Sequence, residues 1–382
     1  MHICFIIESY LSETALSSNN IHSEAVKLHE NGIHVSVVTN GEKNIYVDGI
    51  RVLGLKCWKS KLYYFIFIVK AIHSIAKLNK EEKIDIVHAQ WAGVTGFTAV
   101  LISKLFKIPA IATCRGFDIN YSEKQMEYGA YRSIFARMFV KYTLNYAKKI
   151  VCISGKLKES ILQLWKIQRK DIAVIYPAVN PIFLRSKNEN SKNTNNTVIL
   201  TAGGLRKIKR IEDVLGALKL LKKKKIKFEY WIAGPETDNK KGLLALVNEN
   251  ELVNEVKFLG YNNIENMVEI YDKSDIYINV SVLEGFGRTY LEAMARKKPI
   301  ILTSVTGCSE VIRNMETGII VESYNTEQIA QSLELLITNK KFAEKIGQKG
   351  YEYLIENHSM DKFAAKQINI YKDLLLNNSK HA

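Results

Sequence analysis

The sequence predicts an α/β fold with two doubly wound domains, each built on a mostly parallel sheet with helices on both faces. Apolar runs of strand length alternate with amphipathic stretches of helix length along most of the chain, as in parallel sheets. A polar segment without apolar side chains, residues 185–197, separates two such series. With 382 residues, 47% of them apolar, the chain can build two full cores.

The first series predicts a domain over residues 1–182. Its strands are expected at residues 2–8, 33–39, 84–88, 110–113, 149–154 and 173–176. Two helices are expected between these strands, at residues 21–31 and 93–106. Gly32 follows the first helix and Pro109 precedes the fourth strand, and both residue types interrupt regular structure.

A linker is predicted at residues 183–197 and a second domain at residues 198–360. Its strands are expected at 198–200, 228–233, 256–259, 276–280 and 300–302, and its helices at 211–224, 240–250 and 289–297. Residues 361–382 predict a C-terminal helix, for which a return to the first domain stays open. Open α/β sheets bind ligands beyond the carboxyl ends of their strands, so the two domains are expected to face a common cleft.

Composition and cysteine spacing predict a cytoplasmic location. Five cysteines are scattered without a Cys-x-x-Cys pair, which suits a reducing compartment. The first residues are apolar at once and lack the basic region of a secretory signal. The longest apolar run, residues 62–69, is too short to cross a bilayer.

The net charge of +15, concentrated in residues 1–182, has three explanations. It reflects general lysine richness, a surface for anionic lipid, or a nucleic-acid partner. No nucleic-acid partner is expected, because no recognisable binding module is present. Residues 56–70 and 131–149 mix basic, aromatic and aliphatic residues, as a peripheral surface on the inner face of the membrane would. Buried helices with basic rims would give the same pattern.

The segment 281–295 predicts an anion site, because a strand end, a turn with two glycines and a helix start follow one another. Gly285 and Gly287 allow a ligand close to the backbone, and the helix start offers free N–H groups. Phe286 and Arg288 belong to the same turn. The residues therefore suit a phosphate or diphosphate, although an ordinary strand-turn-helix remains the alternative.

Two carboxylates flank this turn. Glu284 precedes the helix, and Glu292 lies about one turn inside it. Carboxylates do not grip phosphate, but they accept hydrogen bonds from hydroxyls. Glu284 is therefore expected to meet hydroxyls of a sugar and Glu292 those of a ribose.

A second candidate site follows the first strand of the second domain. Gly203 and Gly204 open a loop that contains Arg206 and Lys209. Cations at the carboxyl end of a strand would neutralise a diphosphate and stabilise it as it leaves. A solvated basic loop is the alternative. The chain lacks Gly-Lys-Ser/Thr and a full Gly-x-Gly-x-x-Gly, which disfavours a P-loop enzyme and a dehydrogenase.

Together these motifs resemble the retaining GT-B glycosyltransferases of the group 1 (family 4) type, over nearly the whole chain. The matching features are Glu-Gly-Phe-Gly-(four residues)-Glu-Ala-Met-Ala at 284–295, Lys298-Pro299, Gly307, Glu310-Val311-Ile312, Gly203-x-Leu205-x-x-x-Lys209, Phe258-Leu259-Gly260, Tyr271, Asp275, residues 176–180, residues 85–88 and Arg115-Gly116-Phe117-Asp118. The resemblance implies a GT-B fold with an acceptor-binding first domain and a donor-binding second domain.

The resemblance also implies roles for single residues. Glu284 would bind the donor sugar, Glu292 the ribose and Lys209 the diphosphate. The backbone of the Gly285-Phe286-Gly287 turn would meet the diphosphate. No cofactor or metal is expected beyond the nucleotide-diphosphate sugar, and no Asp-x-Asp occurs in the chain. Transfer to a saccharide or lipid-linked acceptor, in bacterial exopolysaccharide, capsule or lipopolysaccharide synthesis, is the expected function.

The chain departs from the family pattern at four places. Gly204 stands where the family usually has an arginine, for which Arg206 is a candidate substitute. Arg115 replaces the usual histidine before Gly116. It remains a candidate catalytic residue, together with Glu284, Arg206 and Lys209, although the replacement puts its contact to the sugar in doubt. The first loop, residues 13–20, lacks glycine, and Ala178 and Asn180 replace the interdomain Gly and Asp.

Other functions stay open on the sequence alone. His88 and Asp118 are candidates for the acceptor side or the cleft, and for His88 a purely structural role is the alternative. A nucleotide-sugar epimerase of the same fold, and a catalytically weak binding subunit of a polysaccharide assembly complex, both fit the motifs. A glycosidase is disfavoured, because its two carboxylates would not flank a phosphate site.

Overall fold

The computed structural model of the chain describes residues 1–10, 16–58, 60, 62–121, 128–129, 133–186, 196–237 and 239–379. The chain forms two compact units. One comprises Met1–Pro177 together with Met360–Ala382, and the other comprises Ala178–Ser359.

The first unit contains an eight-stranded sheet. Its strands are β1 (His2–Ile7), β2 (His34–Thr39), β3 (Ile45–Val47), β4 (Ile50–Gly54), β5 (Ile86–Gln90), β6 (Ala110–Cys114), β7 (Lys149–Cys152) and β8 (Ile172–Val174). The spatial order is β3-β4-β2-β1-β5-β6-β7-β8. All neighbours pair in parallel except β3 and β4, which are antiparallel.

In the described part of this unit, five α-helices connect the strands: α1 (Leu16–Glu30), α2 (Tyr63–Glu81), α3 (Val94–Phe106), α4 (Ile134–Tyr146) and α5 (Gly155–Gln163). The parallel strands are covered on both faces, so they are apolar along their length rather than alternating. In β1, for example, all six residues are buried.

The second unit contains a six-stranded, wholly parallel sheet. Its strands are β9 (Thr197–Ala202), β10 (Phe228–Ala233), β11 (Val256–Gly260), β12 (Ile276–Asn279), β13 (Ile300–Thr303) and β14 (Ile319–Val321). Their spatial order is β11-β10-β9-β12-β13-β14. The helices are α6 (Ile211–Lys223), α7 (Lys240–Glu249), α8 (Ile264–Lys273), α9 (Arg288–Ala295), α10 (Thr326–Thr338) and α11 (Lys340–Asn357).

The order of the second sheet fixes where a ligand can bind. Counted from β9, the chain first adds β10 and β11 on one side and then crosses to place β12, β13 and β14 on the other. This is the Rossmann order, whose switch point lies between the first and fourth strands. Here the switch point lies between β9 and β12, which pair in parallel through Ile199 and Ile276.

The last helix, α12 (Met360–Ser379), belongs to the first unit. It packs on α1, and its Ala364 and Tyr371 lie in the core of that unit. The sequence left this return open, because an amphipathic helix can cover either sheet.

The structure changes several boundaries expected from the sequence. The units divide at Pro177, not at residue 182, because Pro181–Leu184 forms a 3₁₀ helix whose Phe183 is buried in the second unit. Of the expected linker 183–197, residues 187–195 lie outside the described part of the chain, and Thr197 already belongs to β9. The expected loop 13–20 is helical from Leu16 onward, and its residues 13–15 are outside the described part.

Candidate active site

Two loops meet at the switch point of the second sheet. One leaves β9 and runs through Gly203 to Lys209, and the other leaves β12 and runs through Ser281 to Gly287. The backbone N–H of Val282 donates to the carbonyl of Ile208 at 2.9 Å and ties the loops together. The two predicted donor-binding motifs, about 80 residues apart in the chain, therefore form one site.

An ion pair between Lys209 and Glu284 occupies the centre of this site. The Lys209 Nζ lies 2.6 Å from Glu284 Oε2, and the side chains are only 11% and 21% exposed. The Ser281 hydroxyl, which donates to Asn279 Oδ1 at 2.6 Å, also lies 3.4 Å from the same Glu284 oxygen. The pair thus places one cation and one carboxylate side by side at the edge of the sheet.

The backbone conformation at the start of the loop favours glycine at position 203. The φ of Gly203 is +123°, a conformation that L side chains rarely adopt, and its N–H donates to the Ala233 carbonyl at 2.8 Å. A Cβ at this position would lie 3.4 Å from the Cε of Lys209, which is an ordinary van der Waals distance. The left-handed conformation, rather than a lack of space beside Lys209, therefore accounts for the glycine.

The other cations of the loop are exposed. Arg206 precedes the 3₁₀ helix Lys207–Lys209, and its N–H donates to the Gly204 carbonyl at 2.7 Å. Arg206 and Lys207 are both exposed, whereas Lys209 is largely covered. Arg206 thus lies on the same loop as Gly204, which stands where the family usually has an arginine. Its role as a substitute for that arginine stays a prediction.

The glycine turn leads directly into α9. Gly287 has a φ of +94°, and a Cβ there would collide with the Tyr290 ring. Among the described residues, no side chain caps the start of α9 at Arg288. The first N–H groups of a helix have no intrahelical partners, so this start can bind an anion.

The side chain of Phe286 anchors the turn in the protein interior. Its side chain is buried beside the His358 ring, with 5.9 Å between the ring centroids. Its carbonyl accepts the Cys308 N–H at 3.0 Å. The Phe286 side chain is therefore engaged in the interior of the second unit. A contact between the backbone of this turn and a diphosphate, which the resemblance implies, stays a prediction.

Glu292 is half-buried beside a layer of tyrosines. The Tyr271 hydroxyl donates to Glu292 Oε2 at 2.9 Å, and the Tyr277 hydroxyl donates to Thr289 Oγ1 at 2.6 Å. Burial raises the pKa of Glu292 to about 7, although the Tyr271 hydrogen bond and the charges of Arg288 and Lys209 lower it. The carboxyl therefore changes protonation near neutral pH.

In the first unit, Arg115 is held by a buried ion pair. Its Nη2 lies 2.7 Å from Glu24 Oε2, with side-chain exposures of 7% and 4%. Its Nε also donates to Gln90 Oε1 at 3.1 Å. The replacement of the family histidine by Arg115 put a contact with the sugar in doubt, and the structure engages the guanidinium with protein groups. A catalytic role of Arg115 stays a prediction.

Asp118 organises the loop that carries Arg115. Its carboxylate accepts N–H groups from Ala92, Arg115 and Gly116 at 2.8, 3.1 and 2.9 Å. Burial raises the pKa of Asp118, and these hydrogen bonds oppose that shift. Because Asp118 is buried, these hydrogen bonds fix the conformation of the loop backbone. A role of Asp118 in binding an acceptor stays a prediction.

His88 belongs to the interior of the first unit. Its ring nitrogens lie 2.7 Å from the Tyr371 hydroxyl and 2.7 Å from Thr113 Oγ1. Burial lowers the pKa of His88 to about 3, so the ring is neutral. This environment favours the structural interpretation of His88 over a cleft-lining one.

Possible metal ligands cluster away from these loops. Within the described residues, one group of three or more can be assembled, His2, His34 and Glu82. His2 and His34 begin parallel strands, at the edge of the first sheet opposite to the carboxyl ends. The candidate active site of the second unit is built from Lys, Glu and backbone groups.

Two important partners are not predictable from the sequence. Tyr271 belongs to the family pattern, but the pattern does not indicate that its hydroxyl donates to Glu292. A single glutamate in α1, Glu24, carries no signal that it pairs with Arg115, 91 residues away. Only the three-dimensional packing of α1 against the sheet reveals that pair.

Two family models match the chain in succession. The model Glycosyltransferase Family 4 matches residues 19–182, and the model Glycosyl transferases group 1 matches residues 183–353. The first matched range lies mostly in the first unit, and the second range lies in the second unit and includes both loops at the switch point. The chain belongs to the group 1 glycosyltransferases and has their GT-B fold.

Individual relatives are distant but span most of the chain. The N-acetyl-alpha-D-glucosaminyl L-malate synthase of Bacillus anthracis is 25% identical and covers 91% of each chain. The capsular polysaccharide biosynthesis glycosyltransferase CapM of Staphylococcus aureus is 25% identical over 74% of this chain and 75% of its own.

A solved structure of the same fold is that of Anabaena Alr3699/HepE in complex with UDP and glucose. It superimposes with a TM-score of 0.79 at 14% identity, covering 98% of this chain and 100% of that one. At this identity the likeness concerns the fold. In the described part of the present chain, no helix is both long and apolar enough to span a membrane.

Proposed function

We propose that the protein is a retaining, metal-independent glycosyltransferase that moves a hexose-type unit from a nucleotide-diphosphate sugar to a saccharide or lipid-linked saccharide. The observation that carries the proposal is the Lys209–Glu284 ion pair at the switch point of the second sheet. A cation beside a carboxylate suits the two parts of such a donor, a diphosphate and a sugar rich in hydroxyls.

Donor recognition follows from the chemistry of each group. Lys209, assisted by Arg206, would neutralise the diphosphate, and the N–H groups at the start of α9 would donate to its oxygens. Glu284 would accept hydrogen bonds from sugar hydroxyls. Glu292, oriented by Tyr271, would accept those of the ribose.

The same groups would assist the reaction. The bond between the anomeric carbon and the diphosphate oxygen breaks, and its electron pair leaves on the diphosphate. An acceptor hydroxyl oxygen forms the new bond to that carbon and gives up its proton to the departing phosphate. Lys209 and Arg206 stabilise the charge that develops on the leaving group, which is the step at which electrostatic stabilisation counts most.

Since two cations and a helix start can neutralise the leaving diphosphate, turnover should not require a bound metal. An excess of EDTA should leave the transfer rate unchanged, and a loss restored by Mg²⁺ or Mn²⁺ would contradict this part of the proposal.

The acceptor and pathway are proposed from relatives. CapM is named for capsular polysaccharide biosynthesis, and we place this protein in the synthesis of a bacterial cell-surface polysaccharide such as exopolysaccharide, capsule or lipopolysaccharide. Its donor would be cytoplasmic, and its acceptor would be met at the inner face of the membrane. The Bacillus relative is named for L-malate, a small hydroxy acid. A small hydroxy acid is therefore the acceptor with which saccharide acceptors should be compared.

One observation favours a second candidate, a catalytically weak binding subunit of a polysaccharide assembly complex. Arg115 replaces a family histidine, and its guanidinium is engaged by Glu24 and Gln90 inside the first unit. Such a protein would bind donor without turning it over.

The test starts with a thermal-shift screen of UDP-, GDP- and ADP-sugars, because a specific ligand raises the melting temperature by mass action. The stabilising donor is then assayed for hydrolysis and for transfer to saccharide acceptors. Binding with slow hydrolysis and transfer supports the enzyme. Binding without either reaction supports the second candidate, and stabilisation by none of the donors overturns both.

A further inference from the structure

Large apolar side chains are exposed around the starts of α2 and α4 in the first unit. Phe65, Phe135 and Met138 are 66%, 65% and 61% exposed. The full set, called the apolar-basic surface below, also includes neighbouring exposed residues and cations. Its apolar members are Trp58, Leu62, Phe65, Val69, Ile134, Phe135 and Met138, and its cations are Lys56, Lys70, Arg137 and Lys141.

The exposed side chains share helix faces. In α2, Phe65 and Val69 are four residues apart, and the opposite face of that helix packs Phe67, Ala71 and Ile75 into the core. The same holds for α4. Its Val140, Thr143 and Leu144 are buried, whereas Ile134 and Met138 are exposed. The exposed apolar residues therefore form stripes that the fold leaves uncovered.

Aromatic contacts join the two helices into one surface. The Tyr64 ring of α2 meets the Phe139 ring of α4 edge to face, with 5.6 Å between centroids. Phe97 of α3, which packs between them, lies 4.7 Å from Phe139. Phe65 is the neighbour of Tyr64, and Phe135 lies one turn before Phe139, so the two stripes adjoin.

This surface lies at the carboxyl edge of the first sheet. The helix α2 follows β4 and α4 follows β6, and a helix after a parallel strand begins where that strand ends. Consistent with this, Tyr63 at the start of α2 hydrogen-bonds to Glu8, just beyond the end of β1. The segment that contains Arg115 and Asp118 joins β6 to α4, so the surface borders the edge where the acceptor is expected.

The charge of the apolar-basic surface indicates whether its partner is a second copy of the chain or a lipid layer. In α2, α3 and α4, all of which are fully described, the sole carboxylate is Glu81 at the far end of α2. Lys70, Arg137 and Lys141 adjoin the exposed apolar residues along the same helices. A second copy of the chain would oppose like charges across a two-fold interface, whereas an anionic headgroup layer offers both opposite charge and an apolar boundary.

We propose that the apolar-basic surface docks the protein on an anionic lipid bilayer, with the phenyl rings of Phe65 and Phe135 in the boundary between headgroups and acyl chains. Docking brings the acceptor edge of the first unit to the bilayer, so a lipid-linked acceptor can react without leaving it. The docking stands on the surface itself, and only this last consequence rests on the proposed function.

The test is sedimentation of the full chain with vesicles of phosphatidylcholine alone and of phosphatidylcholine with phosphatidylglycerol, in the absence of sugar substrates. The test variant is Phe65→Ser with Phe135→Ser. The matched control is Tyr46→Ser with Val253→Ser, which removes two exposed apolar side chains elsewhere. A Lys141→Gln variant and a salt series report the electrostatic part.

The wild type and the control should pellet with anionic vesicles only, and the test variant should partition at least tenfold more weakly. Binding should weaken with salt and in Lys141→Gln. Equal pelleting of the test variant and the wild type, pelleting independent of phosphatidylglycerol, or loss of a dimer in the test variant without vesicle binding by the wild type would overturn the proposal. Donor-induced thermal stabilisation is measured on the same variants, and it should be unchanged, so failure of docking is distinguished from failure of the proposed function.

Discussion

Lys209 and Glu284 form a 2.6 Å ion pair between two loops that the chain brings together from the ends of β9 and β12. In the absence of donor, each side chain is the partner of the other. A nucleotide sugar would take both, the diphosphate drawing the lysine and the sugar hydroxyls the glutamate. The pair therefore joins the two loops without donor, and under the proposed function it would compete with the donor for each group.

This competition predicts opposite effects of two substitutions on the affinity for a nucleoside diphosphate without sugar. Lys209→Ala should weaken binding about tenfold or more, because a charge-assisted contact is lost. Glu284→Ala should leave binding unchanged or tighten it, because Lys209 is released from its partner. Isothermal titration of both variants checks this, and similar weakening in both would show that the pair acts only as a scaffold.

The raised pKa of the half-buried Glu292 carboxyl predicts a pH dependence of stability. Burial raises its pKa from the usual 4.5 to about 7 in the folded state, so between these values the folded state holds a proton that the unfolded chain has lost. The free energy of unfolding should therefore fall as pH rises from about 4.5 to 7. Glu292→Gln should remove this part of the slope, and Glu249→Gln, an exposed control on α7, should not. Chemical denaturation across this pH range measures it, and an identical slope in Glu292→Gln would refute the raised pKa.

The same group predicts a pH dependence of donor binding. An ionised Glu292 accepts two hydroxyl hydrogen bonds, whereas the protonated form accepts fewer. Donor affinity should rise with pH through about 7 in the wild type and be flat in Glu292→Gln. A thermal-shift titration with donor at several pH values would decide this, and a pH-dependent affinity retained in the variant would assign the effect to another group.

Gly287 is predicted to be needed for the shape of the turn. Alanine there would combine a φ of +94° with a collision against the Tyr290 ring, at a cost of about 1–3 kcal/mol of stability. Gly242→Ala is the matched control, because its Cβ would meet only Asn239 Oδ1 at 4.0 Å. Thermal unfolding and donor hydrolysis should both suffer in Gly287→Ala and neither in the control. Full activity of Gly287→Ala would remove the turn from the donor site.

Variants of the buried Arg115–Glu24 pair can distinguish a structural role of Arg115 from a catalytic one. Removing either partner alone leaves a buried charge and should cost about 3–5 kcal/mol. The double variant Arg115→Met with Glu24→Leu should regain most of this stability. If Arg115 only supports the fold, transfer should recover as well. Recovered stability with transfer still lost would instead give Arg115 a role at the sugar or acceptor.

Much of the second unit could be predicted from the sequence, because its strands are continuous apolar runs and its ligand groups occupy short motifs. Strand β10 was predicted to the residue, and α6 ended one residue earlier than expected. The strands β3, β4 and β14 were not predicted. Strands β3 and β14 have three residues each, which carry little pattern, and β3 is largely exposed. In β4, Arg51 interrupts the apolar run.

Side-chain partners that lie far apart in the chain could not be predicted from the sequence, for a different reason. The motif Glu284–Glu292 indicated hydroxyl binding, but the pairing of Glu284 with Lys209 depends on the order of strands in the sheet. Likewise, the contact of Tyr371 with His88 depends on α12 returning to the first unit. Local sequence fixes the elements, whereas such pairs arise only when those elements pack.

Under the proposed function, the loops around Lys209 and Glu284 bind a nucleotide sugar and support transfer of its sugar. The most direct measurement is the transfer rate of Glu284→Ala against the wild type with the stabilising donor, in protein shown by thermal unfolding to be folded. We expect Glu284→Ala to bind the nucleoside diphosphate about as well as the wild type and to lose turnover by about 100-fold or more. Near-normal transfer by Glu284→Ala would contradict the proposed function.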